Sequence, residues 1–103
     1  MESKDAVATL SALAHEARLA IFRMLVQVGP EGLPAGEIAR RLDLPAPTLS
    51  FHLKELKNAG ILSCHRDGRR LIYAPDFAAM RGLISYLTEN CCTGRGAAEQ
   101  AAL

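Results

Sequence analysis

The sequence predicts a mainly α domain with one two-stranded β-hairpin, in the order α-α-α-α-β-β-α. Three observations carry that expectation. Apolar residues recur at helical spacing in separate stretches between residues 5 and 90. A short helix, a tight Pro-containing break and a longer helix follow one another over residues 35–58. Asp67-Gly68 lies between two runs of strand character, which is a strong short-range hairpin signal.

The elements follow in order. Residues 5–14 are helix-prone, with Val7, Leu10 and Leu13 or Ala14 at helical spacing. His15–Val28 is a stronger helix, with Leu19, Phe22 and Leu25-Val26 on a stripe that Ile21 widens, and Gly29-Pro30 and Gly32 stop it. A short helix follows Pro34 over Ala35–Leu42, with Ile38, Ala39 and Leu42 apolar. After Asp43-Leu44-Pro45-Ala46 comes a helix over 47–58. Pro47 suits its first turn, Leu49, Leu53 and Leu56 form its inner stripe, and Gly60 is a natural left-handed cap. Residues 61–66 read as a strand, and 69–74 as the returning strand, alternating around Leu71 and Tyr73. A last helix spans about 76–90, with Met80, Leu83, Ile84 and Leu87 apolar. A lone hairpin is not stable and must pack on helices, so the expected architecture is a winged helix-turn-helix. Residues 1–92 are expected to form the domain and 93–103 a frayed tail.

A chain of 103 residues is one domain, with little room for a buried catalytic cleft beside its core. Its apolar runs fall far short of the roughly 18–20 residues that span a bilayer, and Met1-Glu2-Ser3-Lys4-Asp5 is polar, so a cytoplasmic protein with no membrane partner is expected. Net charge is only +1, but it is unevenly placed. Residues 40–70 hold seven Lys/Arg against three acids, net +4, while the rest hold five against eight, net −3. Positive charge is thus focused where a phosphate backbone would use it.

The helix over 47–58 has the position of a reading helix, whose outward residues enter the major groove. Those residues are Thr48, Ser50, Phe51 and His52, with Lys54 and Lys57 set to reach phosphates. Phe51 is unusual on a polar face and suits contact with a thymine methyl. The hairpin tip carries Arg66, Arg69 and Arg70, a basic loop suited to phosphates or the minor groove. From Thr48-Leu49-Ser50-Phe51-His52-Leu53-Lys54-Glu55-Leu56 through Gly60-Ile61-Leu62 and the Arg66–Arg70 wing, the chain resembles the ArsR-type (arsenic- and metal-responsive) repressors. Leu13–Phe22 resembles the first core helix of the same family, and the likeness covers about residues 8–90. It implies a homodimer joined through the outer helices, here 5–14 and 76–90, docked on an inverted repeat of double-stranded operator DNA. It also implies DNA contact at Ser50 and His52. Ala46 and Phe51 depart from the polar or basic residues common at their positions, which bears on base preference.

Three cysteines, Cys64, Cys91 and Cys92, are too few and too poorly spaced for a disulfide framework. Adjacent thiols at a polar helix end suit chelation of a thiophilic ion such as arsenic(III) or antimony(III). A Cys-Val-Cys-type site is absent from Pro34–Arg40, and the last helix has Asp76 but no His. The chain resembles a branch of the family in which a vicinal Cys pair ends the last helix. Cys91 and Cys92 are the expected metal ligands. The third position falls to Cys64 of either chain, to a small-molecule thiol, or to no ligand if the inducer is a methylated trivalent arsenical. No permanent cofactor is expected.

One alternative is a thiol redox or sulfide/persulfide-sensing repressor on the same scaffold, although such sensors usually join cysteines distant in sequence. An enzyme is not expected: His15, His52 and His65 are scattered, no Cys/His dyad or carboxylate pair is legible, and no Gly-rich phosphate loop is present. A pure protein-interaction module has no need of the basic wing.

Overall fold

The computed structural model describes residues 1–94. Most of the expected tail, residues 95–103, lies outside them. The chain forms α1 (Ser3–Leu13), α2 (Glu16–Val28), β1 (Leu33–Pro34), α3 (Ala35–Leu42), α4 (Ala46–Asn58), β2 (Leu62–Asp67), β3 (Arg70–Pro75) and α5 (Phe77–Leu87). This is the expected helix order with one addition. The two-residue β1 pairs antiparallel with β3 (Leu33 opposite Tyr73, Pro34 opposite Ile72), so the wing is a three-stranded sheet ordered β1-β3-β2. Two residues carry no period, which is why β1 escapes sequence reading.

Local chemistry sets the boundaries. His15 caps α2, its Nδ1 accepting from the Ala17 N–H at 3.2 Å. Asp43 turns left-handed at the end of α3 (φ 52°), and the Leu44 N–H returns to the Ala39 carbonyl at 3.0 Å. Gly60 does the same for α4 at φ 85°, with the Gly60 N–H on the Lys57 carbonyl (2.9 Å) and the Ile61 N–H on the Leu56 carbonyl (3.2 Å). That pair of bonds is a Schellman closure. Asp76 caps α5 by accepting from the Ala79 N–H at 2.9 Å, and its own N–H donates to the Ile61 carbonyl at 2.8 Å.

The core lies between α2, α3, α4 and the base of the wing. Ile21, Leu25, Ile38, Leu49, Leu53, Leu56 and Ile61 are fully buried there. The inner stripe of α4 is therefore the expected one. Three expectations need correction. On α1 the buried residues are the small Ala6, Thr9 and Ala12, while Val7 and Leu10 face outward. Small side chains let α1 approach the end of α4, where the Thr9 hydroxyl donates to the Ala59 carbonyl at 3.3 Å. On α2, Ile21, Phe22 and Leu25 are inside, and Leu19 and Val26 are exposed. In the hairpin, Asp67 pairs with Arg70, so the turn is Gly68-Arg69 with Gly68 at φ 64°, one residue later than Asp67-Gly68. A glycine first in a two-residue turn fits type II′ geometry. The shift buries Ile72 and Ala74 and leaves Leu71 exposed, because strand faces alternate with period two.

Helix α5 ends at Leu87, short of the expected residue 90. The Thr88 hydroxyl donates back to the Ile84 carbonyl at 2.8 Å, and turns follow through residue 92. Leu83 is buried and Met80 half-buried, but Ile84 and Leu87 are 56% and 59% exposed. With Val7 and Leu10 they leave the outer helices α1 and α5 with apolar surface that their own protomer does not cover. An apolar cleft of about 480 Å³ lies beside it, lined by Leu13, Phe22, Val26, Met80, Leu83 and Ile84 among others.

Candidate nucleic-acid interface and thiol pair

The helix-turn-helix is α3, the left-handed turn at Asp43 and α4. With Leu49, Leu53 and Leu56 anchored in the core, helical geometry turns the remaining positions outward. Thr48, Ser50, Phe51, Lys54 and Lys57 are all exposed on α4. The helix begins after Pro45 with no side-chain cap, so the N–H groups of its first turn are open to an anionic partner.

His52 departs from the expectation. It is 7% exposed and points into the protein. Arg18 of α2 donates from Nε to His52 Nδ1 at 3.1 Å, and the His15 ring lies 4.8 Å away, centroid to centroid. Burial first, and then the charges of His15 and Arg18, holds the His52 imidazole below the ordinary histidine pKa. The phase of the helix explains its direction. Residues 49, 52, 53 and 56 follow the i, i+3, i+4, i+7 rule, so His52 belongs to the inner stripe. That signal was legible, but a polar residue on a reading helix reads first as outward.

The wing tip places Arg66, Arg69 and Arg70 in solvent, as expected. They are not equivalent. Arg70 Nη2 pairs with Asp67 at 3.3 Å, whereas Arg66 and Arg69 have no ion-pair partner among the described residues. Arg40 and Arg41 on α3 are both engaged by Glu37, and their hydrogen bonds, Arg40's first, lower its carboxyl to about 2.

Cys91 and Cys92 lie in the turn beyond α5 rather than in the helix. Both are exposed free thiols, with sulfurs 3.3 Å apart. Asn90 (φ 57°) and Cys92 (φ 64°) are left-handed, a backbone that costs a non-glycine residue about 1–2 kcal/mol. Cys64 is half-buried on β2 opposite Tyr73. Burial and the neighbouring Cys64 raise the Tyr73 phenol above its ordinary value. Among the described residues no cluster of three or more His, Cys, Asp or Glu is placed to hold a metal, so one protomer does not bring Cys64 to the Cys91–Cys92 pair. Nor is any described helix long and apolar enough to cross a membrane.

Arg18 is the residue that sequence reading missed. It links α2 to α4 across 34 positions, and no local pattern marks such a contact.

The helix-turn-helix domain family HTH_20 matches residues 13–65. The HTH-type transcriptional regulator YgaV of Escherichia coli (strain K12) is 33% identical over 90 residues, covering 87% of this chain and 89% of that protein. The solved structure of HlyU from Vibrio cholerae N16961 superposes with a TM-score of 0.69 at 31% identity, over 89% of this chain and 99% of that one. HlyU of that species is described as a transcriptional activator. The homodimeric winged helix-turn-helix DNA-binding domain of Mb0332 from Mycobacterium bovis, a possible ArsR-family regulator, gives a TM-score of 0.67 at 26% identity, over 84% of this chain and 81% of that one. The expected fold agrees with these likenesses, and the chain belongs to the ArsR-type winged helix-turn-helix family of DNA-binding transcriptional regulators.

Proposed function

We propose that the protein is a homodimeric repressor that leaves its operator when a trivalent arsenical, or antimony(III), binds Cys91 and Cys92. The observation that carries this reading is the pair of exposed sulfurs 3.3 Å apart. Thiolates are the ligands that soft ions select. With metal–sulfur bonds of about 2.3 Å, as for zinc thiolates, that separation subtends about 90° at a shared ion. Such an angle suits the pyramidal bonding of arsenic(III) better than a tetrahedral ion. Two sulfurs are enough for a methylated arsenical, whose carbon fills the third position.

Dimerisation uses the uncovered apolar residues of α1 and α5, Val7, Leu10, Ile84 and Leu87, and the thiol turn follows directly from α5. An ion bound there acts on an element shared by both protomers and so biases the angle between the two reading heads. Each head reads a half-site with Thr48, Ser50 and Phe51, while Lys54, Lys57 and the wing arginines neutralise phosphates.

The same sulfur contact supports a second reading, thiol redox or persulfide sensing. Oxidation would release two protons and two electrons to an oxidant as the sulfurs join, although adjacent cysteines close a strained ring.

Fluorescence anisotropy of a labelled fragment of the gene's own promoter separates these readings. Release by roughly one equivalent of arsenite or methylarsenite per protomer, abolished in the Cys91→Ser/Cys92→Ser variant, is the expected result. Tight, salt-sensitive binding that neither compound disturbs but an oxidant or persulfide does would replace the arsenical reading with the redox one.

A further inference from the structure

Behind the middle of the reading helix, Arg18 and His52 form a contact that takes no part in the proposed base or phosphate contacts. Arg18, on the second helix, contacts two consecutive residues of α4, the buried His52 and the exposed Phe51, whose rings meet edge-on with centroids 6.1 Å apart. Its Nε donates to the buried His52 at 3.1 Å, and its guanidinium carbon lies 5.5 Å from the centroid of the Phe51 ring. That distance is within cation–π range. Phe51 itself is 56% exposed, an apolar ring on the face that the reading helix turns to DNA.

The hydrogen bond fixes a protonation state. Nδ1 of His52 accepts from Arg18, so a neutral ring carries its proton on Nε2. A doubly protonated ring has no acceptor for Arg18 and stands as a cation beside another cation. The charged groups facing His52 are His15 and Arg18, both from α2. On α4 itself, Glu55 lines the shallow groove that Arg18 also lines. From α1, α3 and β2, the other elements packed on α4, no charged side chain bonds His52 among the described residues.

We propose that Arg18 is a positioning residue for operator recognition: it holds the Phe51 ring in its DNA-facing orientation, and its grip depends on a neutral His52. The inference deepens the DNA-binding reading and rests on it. Arg18 contributes to specificity through Phe51 rather than by touching a base. Acid opens the clamp, so operator affinity falls as the pH drops through the His52 value, which burial and the neighbouring His15 and Arg18 hold below that of an ordinary histidine, whereas the phosphate contacts of Lys and Arg do not titrate there.

The test starts from wild-type protein selecting its operator out of a random duplex pool. Failure to enrich any sequence would overturn the DNA-binding reading itself. Anisotropy then compares that operator with a scrambled duplex for wild type, Arg18→Lys, Phe51→Leu and the double variant. Arg18→Lys keeps the charge but not the fork. Each single variant is expected to lose about tenfold on the operator, in the range of one base contact, with scrambled-duplex affinity within about twofold. The double variant loses no more than either single one, because both break the same interaction. Additive losses, or an unchanged Arg18→Lys, overturn the proposal. A second measurement follows operator affinity from pH 7.5 to 5.5. Wild type weakens on the operator beyond its loss on the scrambled duplex, and His52→Gln, which offers Arg18 an amide oxygen and cannot titrate, flattens the profile. Equal profiles for the two proteins refute the clamp, and they decide the matter alone if Arg18→Lys does not fold.

Discussion

The wing offers the most quantitative test of the DNA-binding geometry. Arg66 and Arg69 extend from the hairpin into solvent with no ion-pair partner among the described residues, while Arg70 is held by Asp67 at 3.3 Å. Replacing Arg66 and Arg69 with Ala removes two free cations per protomer, four in the proposed dimer. Each neutralised phosphate contributes about −0.9 to the slope of log affinity against log salt, so the slope should become shallower by about 3.6. Between 50 and 200 mM salt, a fourfold change, the loss of affinity should shrink by roughly 10²-fold relative to wild type. An exposed ion pair is worth little, about 0–1 kcal/mol, and Asp67 partly cancels the Arg70 charge. Arg70→Ala should therefore move the slope less than Arg69→Ala, and Asp67→Asn should tighten binding. Anisotropy titrations at four or five salt concentrations give the slopes. An unchanged slope in the double variant would show that the wing does not lie on the DNA backbone, even if affinity at one salt had fallen.

Two further outcomes follow from the packing. A Cβ at Gly32 would lie 2.3 Å from the Tyr73 carbonyl oxygen, and Gly32 sits at φ 67°. Gly32→Ala should therefore cost about 2–5 kcal/mol from the left-handed backbone and the overpacking together, read as a lowered urea midpoint with an unchanged m-value; full wild-type stability would mean that β1 does not lie so close to β3. Ile84→Glu puts a charge on an exposed apolar site of α5 that a two-fold interface meets twice, so light scattering should find a monomer with intact helical circular dichroism and operator affinity down by at least about tenfold; a dimer of undiminished affinity would move the interface elsewhere.

How legible the fold was depends on whether a period or a contact defined each feature. The stripe Leu49, Leu53, Leu56 spans two turns and fixes α4 without tertiary information. Gly60 and Pro47 mark the ends of that helix for steric reasons that belong to those residues alone. The strand pairing was harder, because Asp67-Gly68 and Gly68-Arg69 both make a tight turn and only the burial of Ile72 and Ala74 chooses between them. On α1 the larger apolar residues, Val7 and Leu10, invited an inward reading, yet close approach to α4 favours Ala6, Thr9 and Ala12. Within the candidate site, residues marked by their own chemistry were placed at the surface from sequence: the wing arginines, the lysines of α4 and the vicinal thiols, all of them exposed. Residues whose place depends on a distant partner were not. His52 was misdirected and Arg18 overlooked, because the contact that defines both joins α2 to α4.

The position of the thiols limits how the proposed inducer can work. A bound ion changes operator affinity only by the difference between its affinity for the two arrangements of the dimer. Weakening the complex 100-fold needs about 2.7 kcal/mol, which is roughly 1.4 kcal/mol from each of two symmetric sites. That is comparable to the approximately 1–2 kcal/mol associated with a single left-handed non-glycine residue, and the thiol turn contains two, Asn90 and Cys92. Rearranging one residue of an exposed turn is therefore enough in energy, and no refolding of the core is required. The turn is also the right place for the change. It follows α5 directly, whose exposed Ile84 and Leu87 belong to the proposed dimer contact, while the inner face of α5 is anchored by Leu83. A shift there changes how one protomer meets the other and leaves α4 seated on Leu49, Leu53 and Leu56. Each reading head would stay intact while the spacing of the two changed, so the inducer should abolish binding to a full inverted repeat and leave the weak affinity for a single half-site nearly unaltered. Equal losses on full and half sites would place the effect inside the reading head instead.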